Sequence, residues 1–172
     1  MRYQPLVDAG GYRDNLIAGE EPELCLRLRR GGGEVRRINA EMTLHDAAIT
    51  RFSQWWRRSK RAGHAFAEGA ALHGAPPDRH WVRETRRAVI WGAGVPLAAV
   101  TGGLLLHPAL FAILGLWPLQ TVRLGLKWRH DGRIGWEAAA FAIPAKIAES
   151  VGVISYWWGR IRGRRRGLIE YK

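Results

Sequence analysis

Residues 88 to 122, AVIWGAGVPLAAVTGGLLLHPALFAILGLWPLQTV, contain no charged side chain. A helix rises 1.5 Å per residue, so this run would measure about 50 Å, too long for one crossing of a hydrocarbon core about 30 Å thick. Gly102-Gly103 and His107-Pro108 punctuate it near the middle. The pattern predicts two transmembrane helices, at 88–106 and 109–126, joined by a tight turn. A buried hairpin in a soluble protein is the competing reading, and the uninterrupted apolar length argues against it.

Basic residues flank the run on both sides. Arg79 to Arg87 (RHWVRETRR) precede it and Lys127 to Arg133 (KWRHDGR) follow, while the turn between has no Lys or Arg. Two crossings place both flanks on one face, which the distribution of Lys and Arg makes the cytoplasmic one. Residues 134–159 are again apolar but carry Glu137, Pro144, Lys146 and Glu149. Charges near the centre of a span cost about 2.5–3.5 kcal/mol each. The segment is therefore read as a helix lying in the interface, followed by the basic tail Arg160 to Arg166. Upstream, Ile49, Phe52, Trp55 and Trp56 recur at three and four, among Arg51, Arg57, Arg58, Lys60 and Arg61. This is an amphipathic basic helix with tryptophan on its apolar side, a composition suited to a membrane surface. Gly74-Ala-Pro-Pro77 ends it.

Across the whole chain, 27 Lys and Arg oppose 15 Asp and Glu, a net charge of +12 that favours anionic partners. The basic stretches border apolar segments, so lipid contact explains them more economically than nucleic acid, which is not expected as a partner. The single Cys25 excludes an intramolecular disulfide and a cysteine-based zinc site. There is no Gly-Lys-Ser/Thr phosphate loop and no G-x-S-x-G elbow. The first residues are too poor in apolar side chains for a signal peptide.

The acidic focus lies at Gly19 to Leu24, GEEPEL, leading into Cys25-Leu-Arg-Leu-Arg-Arg30. Pro22 in the first turn, Leu24 and Leu28 four apart, and Gly31-Gly-Gly33 at the end describe a short helix. Glu20, Glu21 and Glu23 would at the least complement its dipole, at a few tenths of a kcal/mol each. Before it, residues 1–18 read as extended or loop structure, with Gly10-Gly11 at a position calling for positive φ. After it, residues 34–39 read as a short strand with Val35 and Ile38 as its apolar members. Residues 41–46 then lead to a loop presenting His45 and Asp46.

Gly10-Gly11-Tyr12, GEEPEL with Arg27-Leu28, His45-Asp46 and Gln54-Trp-Trp-Arg57, in this order, resemble membrane-bound family 2 glycosyltransferases. In that family the segment reads approximately G-G-aromatic, G-E-D-x-E-L, a His, then Q-x-x-R-W. The resemblance covers residues 10 to about 60. It implies an α/β fragment, the C-terminal part of a GT-A fold, followed by a mostly helical membrane region with two transmembrane helices. The corresponding units are 1–48 (catalytic part), 49–87 (interfacial helices), 88–126 (transmembrane hairpin) and 127–172 (interfacial helix and basic tail). It also implies sugar transfer from a nucleotide-sugar to an acceptor hydroxyl with inversion, in cell-surface polysaccharide or glycolipid synthesis at the cytoplasmic face.

The family's general base is the Asp of its Glu-Asp pair. That position is Glu21 here, with Glu20 in reserve. A carboxylate of either length serves if it reaches the hydroxyl. By the same resemblance His45 sits near the diphosphate and a divalent Mg or Mn ion, with Asp46 beside it. Gln54 and Arg57 hold the acceptor or the leaving diphosphate. Each has a plainer reading: His45 as a loop histidine bonded to backbone, Gln54 and Arg57 as parts of a basic surface. The family's D-x-D motif is absent from the sequence, and the residue after Arg57 is Arg58 where the family has Trp. The chain is accordingly expected to be the acceptor-side and membrane-anchor portion of such an enzyme. A non-catalytic basic membrane protein binding anionic lipid or a partner is the alternative.

Overall fold

The computed structural model describes residues 3–36, 38–40 and 49–163. Of the described residues 76% are helical, and among them there is no strand or sheet. This overturns the α/β expectation. Residues 34–36, 38 and 39 form no strand, and Ile38 is 65% exposed. Val35 and Ile38 are three apart, so a strand would send them to opposite faces, and no second strand offers it hydrogen bonds. Near the start, where extended or loop structure was expected, Tyr3–Asp8 forms the short helix α1, with Gln4 Nε2 donating to Asp8 Oδ1 at 2.8 Å. Gly10 and Gly11 then take φ of +76° and +65° and turn the chain back.

Helix α2 is Glu20–Arg30 and α3 is Phe52–His73. Three further helices are long and apolar enough to cross a membrane: Val82–Leu105, Pro108–Lys127 and the stretch Arg129–Ile161. The sequence reading allowed two. The first comprises α4 (Val82–Val89), a π-helical turn at Ile90–Gly94 and α5 (Val95–Leu105). Pro96 has no N–H to return to the ladder, and the wider turn sits immediately before it. The second begins as a 3-10 helix at Pro108–Gly115 and continues as α6, Leu116–Lys127. Gly102 and Gly103, expected to mark the break, lie inside α5. A Cβ on them would press Leu110 and Phe111, so they let the two helices of the hairpin approach. The break itself is at Leu106-His107, where His107 Nδ1 accepts the Ala109 N–H at 3.2 Å. After a 3-10 turn at Arg129–Asp131, α7 runs from Gly132 to Ile161 through Pro144.

Helix α3 lies along α7 and runs in the same direction. Trp55 meets Phe141 edge-on (5.4 Å between ring centres), and further along His64 meets Tyr156 (5.2 Å). Ala67, Ala88 and Val153 close a small core under Tyr156. Gly63 and Gly152 on this seam, and Gly92 on the crossing of the first span with α7, are glycines because a Cβ would collide with the facing backbone. Small residues thus bring whole backbones together, as membrane helices do. Towards the N-terminus, Leu16, Ile17, Leu24 and Leu28 are also buried.

Candidate functional site

Helix α2 starts at Gly19, whose φ of +90° only glycine adopts readily and whose missing side chain makes room for the indole of Trp81. One turn in, Glu23 is fully buried. Its carboxylate receives Arg27 Nε at 2.9 and 3.0 Å, Arg13 Nε at 2.8 Å and His73 Nε2 at 2.8 Å. A carboxylate only accepts, so His73 donates from Nε2. Burial by itself would raise the Glu23 pKa, but the hydrogen bonds of Arg27 and His73 and the charges of Arg27 and Arg13 outweigh it. The pKa therefore lies below the ordinary value. Arg27 extends the knot to the carbonyls of Ala9 and Gly11. The end of α2 is tied by Arg30 to Asp78 at 2.6 Å, and Arg61 of α3 donates to the Ile17 carbonyl at 3.0 Å.

The knot joins α2, the end of α3 and the loop that enters the first apolar helix. Trp81 completes it. Its ring fits between Gly19 and Gly69, stacks on His80 (4.4 Å) and meets Phe66 edge-on (5.4 Å). This over-determined packing holds Arg79 and Trp81 in left-handed backbone, φ +45° and +52°, a conformation costing about 1–2 kcal/mol per residue.

Two ionisable groups beside the knot are tuned differently. Glu68 on α3 accepts the Ile17 N–H, while its Oε2 is buried without a protein partner; burial and the nearby charge of Glu20 raise its pKa. His80 Nε2 is likewise buried without a partner. Burial and the neighbouring His73 lower its pKa, against the pull of Glu23, Glu84 and Asp78.

Among the residues expected from the sequence, Glu21 is exposed on the first turn of α2 and Glu20 is half-buried beside Glu68. Gln54 is a helix cap: its Oε1 accepts the N–H of Thr50 at 3.0 Å and of Arg51 at 2.9 Å. Arg57 is exposed on α3. The structure does not bring Gln54 and Arg57 to the knot, which gathers around the opposite end of α3. His45 and Asp46 lie outside the described residues. Among the described residues, no three His, Cys, Asp or Glu side chains are grouped to hold a metal.

Sequence reasoning passed over Arg13, Glu23, Glu68, His73 and His80 as a group. The one visible signal was the spacing of Glu23 and Arg27, four apart on a helix. Searches against protein-family models, curated proteins and solved structures find no match to this chain.

Proposed function

We propose that this chain is the acceptor-side and membrane-anchor portion of an inverting sugar transferase that works at the cytoplasmic face on a glycan or lipid-linked acceptor. The observation that carries the reading is the buried knot. Glu23 is fully engaged by Arg13, Arg27 and His73, so the first turn of α2 is held rigidly while Glu20 and Glu21 remain beside it. Rigid presentation matters because a general base works only when its carboxylate is held within hydrogen-bond reach of the hydroxyl. The display sits at the entrance to an apolar helix, where an amphiphilic acceptor would bring its head group.

In this reading Glu21, which is exposed, takes the proton of the acceptor hydroxyl as the oxygen attacks the sugar's anomeric carbon and the nucleoside diphosphate leaves. Glu20 and Glu68 form the acidic surroundings that keep a proton available nearby. The sequence has no D-x-D, so the donor's diphosphate and its metal ion are held by residues other than these.

Membranes from cells carrying the chain, supplied with labelled nucleotide-sugars, test the reading. Deleting the chain should abolish incorporation into lipid or glycan. Glu21→Gln at equal protein level should lower it by about 10²–10⁴-fold, the usual contribution of a general base. Near-normal incorporation by Glu21→Gln would remove Glu21 as the base. Incorporation indifferent to deletion would remove the transferase reading altogether.

A further inference from the structure

A groove of about 350 Å³ runs along the start of the first apolar helix, lined by Arg79, Arg83, Arg86 and Arg87 with Val82, Ile90 and Trp91. The four arginines carry no ion pair among the described residues. Some other exposed arginines do find carboxylates, as Arg30 finds Asp78 and Arg133 finds Glu137, and it is the clustering of four unpaired ones that sets this groove apart. We propose that this groove is a binding site for the phosphate head group of a membrane lipid, of the phosphomonoester or diphosphate class.

Three features point to that occupant. Four guanidinium groups form a dense, unpaired positive field, and each presents a planar fork matched to phosphate oxygens. A monoanionic phosphodiester head group would neutralise only a quarter of that charge, whereas a phosphomonoester carries about 1.5 to 2 negative charges at neutral pH and a diphosphate more. The remaining walls, Ile90 and Trp91, open the uncharged run that continues to Val122, so a hydrocarbon tail can follow the helix into the bilayer. A free phosphate would have no use for that wall. The site is also preformed at one edge, because Arg79 belongs to the loop that Trp81 and the glutamate knot hold in left-handed backbone. The assignment rests on the groove alone and does not need the sugar-transfer reading.

The test uses the full chain in nanodiscs of phosphatidylcholine containing either phosphatidic acid or phosphatidylglycerol at matched surface charge, with bound lipid counted by native mass spectrometry. Retention of phosphatidic acid in preference to phosphatidylglycerol is expected. Arg83→Gln/Arg86→Gln/Arg87→Gln should weaken that retention by about tenfold or more, the scale of one lost charge-assisted hydrogen bond. Arg129→Gln/Arg160→Gln/Arg162→Gln, which removes as much charge elsewhere, should leave the preference intact. All of these side chains are exposed, so folding is not at stake. Equal retention of the two lipids, or equal loss in both triple variants, would reduce the groove to general surface charge and overturn the proposal. Displacement of phosphatidic acid by millimolar inorganic phosphate would assign the site to a soluble ligand and overturn it as well.

Discussion

Glu23 shows how much one side chain can decide. It is fully buried, yet the guanidinium groups of Arg13 and Arg27 and the ring N–H of His73 surround it, so its ionised form is the stable one. Removing its charge leaves Arg27 and Arg13 without their partner, and breaking buried pairs of this kind costs about 3–5 kcal/mol, less where a partner is partly exposed as Arg13 is. Glu23→Gln is therefore expected to destabilise the chain by about 2–3 kcal/mol in denaturant titrations in detergent, whereas Glu21→Gln, on an exposed position, should change stability little. The pH dependence follows from the shifts. The lowered pKa of His80 means that stability is present above 6.5 and declines as pH falls below it. The lowered pKa of Glu23 adds a second loss as pH falls below 4.5. Glu68 acts in the opposite sense, because its raised pKa makes its contribution fade as pH rises above 4.5. Acid unfolding followed by circular dichroism should show two descending limbs, the lower one missing in Glu23→Gln.

At the scale of elements, the helices meet through missing side chains. A Cβ on Gly63 would collide with the Glu149 carbonyl, and one on Gly92 with the Lys146 carbonyl. Backbone oxygens cannot swing aside as side chains can, so Gly63→Ala and Gly92→Ala should each cost about 1–3 kcal/mol through overpacking, despite alanine's better helix propensity. Gly115→Ala faces open space on its helix and serves as the control. Thermal unfolding in detergent, compared across the three variants, checks the order. Apart from α1, the helices themselves were legible in the sequence. The end of α2 at Gly31, the amphipathic α3 and the apolar runs all follow from local chemistry. The strand at 34–39 did not form, because a strand needs a partner and the sequence window contains no information about one. Gln54 has a structural use that the motif reading did not supply: a glutamine at the third position of a helix satisfies the preceding N–H groups whether or not a ligand is near.

For the whole molecule, the pairing of α3 with α7 bears on how the chain meets the membrane. The length and composition of α7 are sufficient for a crossing. Yet α3 follows it from Phe141 to Tyr156 and carries Arg57, Arg58, Lys60 and Arg61. Four cations in hydrocarbon would cost about 2.5–3.5 kcal/mol apiece, and the part of α7 before Phe141 is too short to span alone. We therefore expect α3 and α7 to lie together in the interface while Val82–Leu105 and Pro108–Lys127 cross. Trp157 and Trp158, with Arg160 and Arg162 stacked over them at 5.8 and 4.2 Å, suit that depth. In a Cys25→Ser background, Arg129→Cys and Arg162→Cys should react with an impermeant thiol reagent from the same side of sealed vesicles, and Leu106→Cys from the other. Labelling of Arg162→Cys together with Leu106→Cys would show that α7 crosses.

Hydropathy and charge order alone determined that this is a chain of apolar helices with basic borders, since a lipid environment selects those properties residue by residue along the sequence. The same local logic placed α2 and its carboxylates. Which carboxylate is engaged was decided only in three dimensions: Glu23 rather than Glu20 or Glu21 meets Arg13, His73 and Arg27, because His73 arrives from fifty residues away once α3 has packed. The unpaired arginine groove has the same origin. Neighbouring arginines are visible in any sequence, but that no carboxylate among the described residues reaches them, and that Ile90 and Trp91 complete the groove, depends on how the helices pack.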